Sequence, residues 1–275
     1  MTWSELQADW TGYFKEKTFF TYARCPDCGL LYNPVYFTPA ALAELYRRMP
    51  DNTAGQAEPL LAKTQARYFG FAERSGLADG DYLEVGPDTG RLLPPAARQM
   101  PRAKFWLYEP NVAVHPLLTR RLGNRRHEIR TEMADFSAVS DGTIALAVMI
   151  HVLDHLPEPR STLRQLAAKL APAGRLLIVT HDERSGLARL LGRRWLAYCL
   201  QHPQLFNRRS TRTLLEHVGL EVMATRKSVN DFPATYLLKH LLYALGLHAV
   251  KSWRWNAFPL PLKLGNLITV ARPAA

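Results

Sequence analysis

The sequence predicts an α/β protein in which helices cover both faces of a mostly parallel sheet. Between residues 79 and 180, short apolar segments alternate with helical ones, and this alternation is typical of βαβ units. One apolar segment, residues 144–150, is hydrophobic at nearly every position, as expected for a strand buried on both faces. The chain has the composition of a folded globular protein, with 47% hydrophobic and 21% charged residues.

The elements follow one another in a readable order. Strands are predicted at residues 82–85, 105–108, 127–131, 144–150 and 175–180, and helices at residues 91–100 and 161–170, with Ser161 near the start of the second. Further on, Ser210 and Thr211 cap a helix that runs to His217, and residues 220–225 and 267–271 form two final strands. Ligands of such sheets bind beyond the carboxyl ends of the strands, so we expect functional residues there.

A length of 275 residues fits one large domain or two unequal ones. We divide the chain into an N-terminal extension, residues 1–78, and a domain formed by residues 79–275. The extension is rich in aromatic residues, contains a Cys-x-x-Cys pair and ends in a lead-in helix. Residues 181–265 of the domain are expected to contain insertions that form a substrate site or a lid.

Positive charge is concentrated in the last third of the chain. Residues 181–275 hold 14 Lys and Arg against 5 Asp and Glu, a net charge of +9, so the first 180 residues hold only +2 of the total of +11. This asymmetry predicts an anionic partner for the last third. A basic surface without a partner is the alternative.

Cysteine usage and hydropathy predict the compartment. Three cysteines cannot form a disulfide framework for a chain of this size, so we expect a reducing compartment, the cytoplasm. The first ten residues lack the features of a secretory signal, and no long uncharged apolar stretch predicts a membrane span. Residues 236–258 have apolar positions at helical spacing, followed by tryptophans. They predict a helix packed on the sheet, with a peripheral membrane contact or a substrate lid as the alternatives.

A strand, a glycine turn, a helix and an acidic residue form a nucleoside-binding pattern. Gly86 and Gly90 follow the first strand of the domain, and Glu109 ends the second strand 19 residues later, about the spacing at which an acid reaches ribose hydroxyls. A dinucleotide site needs glycines where this sequence has Asp88 and Arg91, and a carboxylate would repel a pyrophosphate. S-adenosylmethionine presents an ammonium and a sulfonium instead. An ordinary turn, in which aspartate adopts the left-handed conformation, is the alternative.

Residues 80–180 resemble the class I S-adenosylmethionine-dependent methyltransferases of the small-molecule group. The resemblance rests on the first motif at residues 83–90, the ribose-binding strand end at 108–110, the segment Val-Leu-Asp-His-Leu-Pro-Glu-Pro at 152–159 and the loop at 170–176. It implies a Rossmann-like sheet of seven strands with the last strand antiparallel. It also implies S-adenosyl-L-methionine as the cofactor and methyl transfer as the activity.

The resemblance further implies which residues bind the cofactor. They are Glu84, Gly86, Asp88 and Gly90 after the first strand, Glu109 after the second, Glu132 and Met133 after the third, and Met149 and His151 after the fourth. Glu84 would hold the amino end of the methionine moiety, and Glu109 would hold the two ribose hydroxyls. Two positions depart from the family pattern: Asp88 replaces the middle glycine, and Ala145 replaces an aspartate that is common in the fourth strand.

The segment 24–34 resembles the half zinc ribbon that precedes some methyltransferase domains, including sugar C-methyltransferases. Those proteins have two Cys-x-x-Cys pairs, whereas this chain has only Cys25 and Cys28, with Cys199 far away. Because a tetrahedral zinc site needs four ligands, we expect a metal-free knuckle and predict no metal site. A metal completed by distant histidines or across a dimer, and a redox pair, are the alternatives.

Methyl transfer requires a positioned nucleophile and often the removal of a proton. Candidate bases near the strand ends are His151, Asp154, His155, His181 and Asp182. His181 and Asp182 follow the fifth strand directly and are expected on the substrate side, whereas His155 is expected to be structural. His181, His151 and Asp182 are the predicted catalytic residues.

Basic residues and one further histidine are the predicted substrate contacts: Arg193, Arg194, His202, Arg208 and Arg209. Arginine forks match phosphate and carboxylate groups, so we expect a small anionic acceptor such as a nucleotide-linked sugar, a glycolipid or a carrier-bound intermediate. A catalytically silent subunit with the same fold is one alternative. A basic nucleic-acid-binding module is a weaker one, because the basic residues lack a stacking pattern. The sequence predicts neither the acceptor atom nor the oligomeric state.

Overall fold

The computed structural model describes residues 5, 6, 10, 21–47, 58–235, 237, 238, 242 and 259–274. The strands are β1 (Ala23–Arg24), β2 (Leu31–Tyr32), β3 (Asp81–Val85), β4 (Phe105–Tyr108), β5 (His127–Arg130), β6 (Ile144–Ile150), β7 (Leu170–His181), β8 (Gln204–Leu205), β9 (Leu220–Lys227), β10 (Asn230–Pro233), β11 (Pro259–Leu262) and β12 (Asn266–Pro273). The helices are α1 (Pro39–Arg47), α2 (Glu58–Glu73), α3 (Leu93–Gln99), α4 (His115–Leu122), α5 (Pro159–Lys169), α6 (Gly186–Leu191) and α7 (Arg208–Glu216).

A seven-stranded sheet with the order β5-β4-β3-β6-β7-β12-β9 forms the centre of the fold. Strands β3 to β7 pair in parallel, and β12 pairs antiparallel with both β7 and β9. This is a Rossmann-like sheet whose last strand along the chain is antiparallel, so the predicted fold class is confirmed.

Alternate residues of the central strands face opposite sides of the sheet, and both sides are buried. On β6, Ala147 and Met149 pack into the core shared with α5 and α7, whereas Leu146 and Val148 pack into the core shared with α2, α3 and α4. The same alternation explains why residues 144–150 are apolar throughout. Because both faces are covered, only the ends of the strands reach solvent.

Two predicted helix starts are wrong by a few residues. Helix α5 begins at Pro159, with Glu158 as its N-cap, because proline fits the first helical position, and Ser161 lies within the first turn. Helix α7 begins after Asn207, whose side chain accepts from the backbone of residues 209 and 210. Ser210 completes the capping box by accepting from the backbone N–H of Asn207 at 2.9 Å.

The N-terminal extension pairs with the last third of the chain. Strand β2 lies between β1 and β8 in a three-stranded antiparallel sheet, with Leu31 opposite Leu205. The cysteine knuckle is the turn between β1 and β2, closed by a bond from the N–H of Gly29 to the carbonyl of Cys25 at 2.9 Å. These two-residue strands carry no pattern from which a sequence could predict them.

A buried carboxylate fixes the knuckle to the domain. Arg24 donates to both carboxylate oxygens of Glu183 at 2.9 and 3.1 Å. Asn207 donates to Glu183 at 2.9 Å and to the carbonyl of Gly29 at 3.1 Å. Burial alone would raise the pKa of Glu183, but the bonds from Arg24 and Asn207 outweigh burial and lower it. Glu183 is therefore charged and paired, two residues after the end of β7.

Within the described part of the chain, no helix combines the length and hydropathy needed to cross a membrane. The predicted amphipathic helix at residues 236–258 lies outside the described residues, apart from positions 237, 238 and 242.

The double role of Asn207 predicts an unusually large effect of its removal. Asn207→Ala should lower the free energy of unfolding by about 2 kcal/mol, because it removes the cap of α7 and one partner of a buried carboxylate. Urea unfolding followed by circular dichroism measures the change. Asn111→Ala is the matched control, since Asn111 caps only a short 3-10 turn, and it should cost less than about 1 kcal/mol. Equal losses in the two variants would contradict the interpretation.

Candidate functional site

The first half of the site is the glycine turn that follows β3. Gly86 has a φ of +66° and Gly90 a φ of +71°, both in the left-handed region that favours glycine. A Cβ atom on Gly86 would lie 2.6 Å from Cγ2 of Val152, and one on Gly90 would lie 2.7 Å from Cδ2 of Leu118. Neither position accepts a side chain, so the turn keeps its tight shape.

Asp88 stands where the resembled motif has a glycine, and it keeps the backbone conformation of a glycine. Its φ is 52°, which aspartate tolerates better than most residues. Its carboxylate pairs with Arg91 at 3.1 Å, and Arg91 donates to Glu58 at the start of α2 at 2.7 Å. The departure from the motif therefore preserves the turn and adds a chain of ion pairs that leads to α2.

Glu109, directly after β4, is held in one orientation. The N–H groups of Asp88 and Asn111 donate to its two carboxylate oxygens, each at 2.9 Å. Burial raises the pKa of Glu109, and the two N–H donors oppose that shift. Each carboxylate oxygen has a second lone pair. The group can therefore accept a pair of ribose hydroxyls without reorienting.

Three carboxylates, those of Glu84, Asp88 and Glu109, surround the glycine turn. Glu84 is buried and accepts from the Tyr82 hydroxyl at 2.7 Å. Burial raises the pKa of Glu84 to about 8, helped by the charges of Glu109 and Asp88 and opposed by the bond from Tyr82. Such crowding favours a cationic ligand and disfavours a pyrophosphate. Thr89 also has a buried hydroxyl without a hydrogen-bond partner in the turn, so these residues fit the charged end of S-adenosylmethionine.

The other predicted cofactor residues differ in exposure. Glu132 is exposed and accepts from the hydroxyl of Thr131 at 2.8 Å. Met133 is half-buried against the core, whereas Met149 has no exposed surface and lies inside the core. Met149 therefore contributes to packing in this structure. His151, two residues later, is half-buried.

The second half of the site lies at the ends of β6 and β7. His151 follows β6, His181 is the last residue of β7, and Asp154 lies in the short 3-10 turn after β6. One carboxylate oxygen of Asp154, Oδ2, accepts from the backbone N–H of His181 at 2.9 Å and from its Nδ1 at 2.7 Å. Asp154 is 0% exposed, and its other oxygen has no partner. The structure thus brings together three of the five candidate bases.

His151 is strained and neutral. Its φ is 53°, a conformation that costs a non-glycine residue about 1 kcal/mol or more. Burial lowers the pKa of His151 to about 3, and the charge of His181 adds to the effect. Its Nδ1 is buried without a partner, and its Nε2 lies 3.4 Å from the side-chain amide of Asn266. A group with this pKa accepts a proton poorly at neutral pH.

Two further histidine rings, those of His202 and His155, lie beyond His181. The ring of His202 lies 4.8 Å from that of His181 and 4.6 Å from that of His155, centre to centre. The hydroxyl of Tyr46 lies 3.1 Å from Nδ1 of His155. His202 is buried, and its Nδ1 lies 2.7 Å from the carbonyl of Ala197. The predicted substrate residue His202 is therefore part of the histidine cluster, which we define as His151, His155, His181 and His202.

The remaining predicted residues lie apart from the histidine cluster. Asp182 is buried, and its carboxylate accepts from the N–H of Arg184 at 3.0 Å, so it shapes the turn after β7. The four predicted substrate arginines are all exposed: Arg193, Arg194, Arg208 and Arg209. They lie in the 3-10 turn after α6 and in the first turn of α7. All four therefore lie at the surface of the protein.

Potential metal ligands also meet at the ends of β6 and β7. His151, Asp154 and His181 each offer an atom within 4.8 Å of the other two. Across the described ranges, no other group of three potential ligands is found, and this one contains neither Cys25 nor Cys28.

The two cysteines of the knuckle differ in their surroundings. Hydrogen bonds from backbone N–H groups lower the pKa of the Cys25 thiol, whereas burial raises the pKa of the Cys28 thiol.

Sequence reasoning missed how the N-terminal extension supports the histidine cluster. Tyr22 and Asn33 both donate to the carbonyl of His202, at 2.7 and 3.2 Å, and Tyr36 donates to the carbonyl of Leu200 at 2.7 Å. The aromatic richness of the first 78 residues was the available signal. It predicts packing but not the surface on which the side chains pack.

The methyltransferase domain family model matches residues 41–225, about two thirds of the chain. The match begins inside the segment predicted as an N-terminal extension. No protein of known, curated function matches the chain.

Solved structures share the fold at low sequence identity. An S-adenosylmethionine-dependent methyltransferase of Thermotoga maritima, described as a possible histamine N-methyltransferase, is 15% identical with a TM-score of 0.51, over 78% of this chain and 90% of that one. A putative methyltransferase of Bacillus halodurans is 14% identical with a TM-score of 0.55, over 77% and 99%. The cyclase SpnF is 17% identical with a TM-score of 0.56, over 88% and 98%.

At these identities the solved structures establish only the fold, and a cyclase shares that fold with methyltransferases. The family match, by contrast, spans both halves of the site, from the glycine turn to the histidine cluster. It therefore agrees with the resemblance found in residues 80–180. The chain belongs to the methyltransferase domain family, and this membership implies S-adenosylmethionine as its cofactor.

Proposed function

We propose that the protein transfers a methyl group from S-adenosylmethionine to a small anionic acceptor. The observation that carries the proposal is the carboxylate of Glu109, which two backbone N–H groups hold beside a glycine turn crowded with acids. This arrangement suits a ligand that has both a ribose and a positive charge. The family match supports the choice of S-adenosylmethionine over other nucleosides.

Different residues would bind different parts of the cofactor. Glu109 accepts the ribose hydroxyls, and Glu84 lies close enough to Glu109 and Asp88 for their charges to raise its pKa. A cofactor ammonium beside Glu84 would favour its ionised form and replace that repulsion by attraction. When bound, S-adenosylmethionine supplies an electrophilic methyl group on a sulfonium.

The last third of the chain, residues 181–275, holds +9 of the net charge of +11. The exposed residues Arg193, Arg194, Arg208 and Arg209 follow β7 along the chain. Guanidinium forks match phosphate or carboxylate groups. We therefore infer an acceptor such as a nucleotide-linked sugar, a glycolipid or a carrier-bound intermediate. The segment 24–34 has one of the two cysteine pairs of sugar C-methyltransferases, and this partial resemblance favours the sugar class.

Titration calorimetry with S-adenosylmethionine tests the cofactor assignment directly. We expect one site per chain, and we expect the demethylated product S-adenosylhomocysteine to bind there too. NADH at the same concentration serves as the comparison, because the acidic turn should reject its pyrophosphate. Binding of NADH with no binding of S-adenosylmethionine would overturn the proposal.

Glu109 should dominate cofactor affinity. Glu109→Ala removes two charge-assisted hydrogen bonds, each worth roughly 1.5–3 kcal/mol, so affinity for S-adenosylmethionine should fall at least about tenfold. Glu109→Gln should lose less, because one acceptor oxygen remains. Glu216→Ala, which changes an exposed acid paired only with Arg212, is the control and should bind as the parent does. Parent-like affinity of Glu109→Ala would place the ribose elsewhere.

Glu84 should make the protein less stable as the pH rises. The unfolded chain releases the Glu84 proton near the usual pKa of 4.5, whereas the folded chain holds it until about pH 8. The folded state therefore binds more protons between these values, and its free energy of unfolding decreases across that window. Above about pH 8 the loss is complete.

Glu84→Gln should remove this contribution, because glutamine does not titrate. Urea unfolding of the parent and the variant at pH 6, 7, 8 and 9 should show a difference that shifts in favour of the variant as the pH rises. Glu221→Gln, at an exposed ion pair with Arg272, should show no such trend. A pH-independent difference for Glu84→Gln would show that Glu84 is ionised throughout.

A further inference from the structure

We propose that Asp154 and His181 form a dyad in which Asp154 positions His181 to remove a proton from a hydroxyl group of the acceptor. This inference rests on the proposed methyl transfer and specifies its acceptor atom, oxygen. His181 would be the catalytic base, and Asp154 a positioning residue that acts through it.

The hydrogen bonds of Asp154 fix the ring of His181 and not only its backbone. A carboxylate with a purely structural role at the end of β7 would need only the bond from the backbone N–H, at 2.9 Å. The same oxygen also accepts from Nδ1 of the ring at 2.7 Å. A proton on Nδ1 places the lone pair of the neutral ring on Nε2, so the carboxylate selects the tautomer as well as the orientation. It also stabilises the imidazolium that forms when Nε2 accepts a proton.

Burial makes this pairing strong and specific. Asp154 is 0% exposed, whereas the side chain of His181 is 24% exposed, so the carboxylate is shielded from water and the ring is not. Hydrogen bonds to a charged group are strengthened away from water. The ring therefore has two properties that a base needs: a fixed inner nitrogen and a partly exposed surface.

The position of His181 in the sheet suits the role of a base for methyl transfer. Strands β3, β6 and β7 are parallel neighbours in that order, so their carboxyl ends lie along one edge. That edge carries the glycine turn after β3 and His181 at the end of β7. The glycine turn and His181 are thus separated by one strand, β6, which His151 follows.

Several groups lie against the ring of His181. Among them are Asp154 and His151 from the segment after β6, and Trp195 and His202 from the loop after α6. Trp195 does not titrate, and His202 has its Nδ1 beside the carbonyl of Ala197. Burial lowers the pKa of His151 to about 3, so His151 accepts a proton poorly at neutral pH. His181 is the ring that a hydrogen bond of 2.7 Å joins to the carboxylate of Asp154.

The distance between Asp154 and His181 excludes a metal ion bound between the two atoms that form the dyad. Oδ2 of Asp154 and Nδ1 of His181 are 2.7 Å apart, the separation of a charge-assisted hydrogen bond. Two ligands of one metal, each at about 2.0–2.2 Å and at tetrahedral angles, stand more than about 3 Å apart. A cation between these two atoms would have to break the bond that orients the ring.

The dyad is needed only if the acceptor loses a proton during transfer. The new bond joins the acceptor oxygen to the methyl carbon, and the sulfur–carbon bond breaks, with its electron pair returning to sulfur. The hydroxyl proton goes to Nε2 of His181 and then to solvent, so charge and atoms balance. An amine can attack through its lone pair without this step. A carbon acid would also need donors that stabilise an enolate oxygen.

Nuclear magnetic resonance of the intact chain with 15N-labelled histidine tests the positioning role without an acceptor. The resonances of His181, assigned by their loss in His181→Gln, should show the Nδ1–H tautomer in the parent. Asp154→Ala removes the acceptor of Nδ1–H, so it should shift the ring to a mixture or to the other tautomer. Asp141→Ala, which changes an exposed acid paired with Lys169, should leave the spectrum as it is. An unchanged tautomer in Asp154→Ala would overturn the dyad.

Transfer of a radiolabelled methyl group to a panel of sugar phosphates, phenolic acids and amino acids tests the acceptor class. We expect methyl ethers, with kcat about a hundredfold lower in Asp154→Asn and His181→Gln and affinity for S-adenosylmethionine within about twofold of the parent. That unchanged affinity also reports that the variants fold. Methylation only at nitrogen or carbon, or activity that a chelator removes and zinc restores, would overturn the inference. Loss of cofactor binding in the parent would instead contradict the proposed function.

Discussion

Burial of both faces of the parallel sheet is the constraint on which the rest of the structure depends. Helices cover each side, so strands β3, β6 and β7 can place polar groups only where they end. Parallel strands end along one edge, and this is where the glycine turn and the histidine cluster meet. Charges drawn into such an edge lose water, which is why Glu84 and His151 have displaced pKa values while Asp154 is paired with His181.

The N-terminal extension is integrated into the side of the domain that carries the histidine cluster. Arg24 and Asn207 satisfy the buried Glu183, and tyrosines of the extension bond to the backbone around His202. The bonds from Arg24 and Tyr22 join segments about 160 to 180 residues apart in sequence. The shape of the loop that carries His202 therefore depends on residues far outside the glycine-turn half of the site.

The sequence predicts the central sheet well because apolar strands, a glycine turn and a spaced acid are local patterns. It also places Glu109 and His181 at strand ends, since strand boundaries follow from hydropathy. It cannot pair Asp154 with His181, because these residues are 27 positions apart and meet only through the register of β6 with β7. The errors at Ser161 and Ser210 have a similar origin: Pro159 and Asn207 are stronger start signals two or three residues earlier. Two-residue strands such as β1 and β8 have no periodicity to detect.

The place of β12 in the sheet has a consequence for how the chain folds during synthesis. Strand β12 lies between β7 and β9 and bonds to both, and among the described strands β9 has no other neighbour in the central sheet. Until residues 266–273 leave the ribosome, this edge of β7 stays unpaired and β9 has no strand on which to dock. A nascent chain that already holds both halves of its site must therefore keep an open strand edge until β12 has been made. Exposed edges of this kind invite pairing with other chains, so the interval between the synthesis of β7 and of β12 is a period of exposure to such pairing.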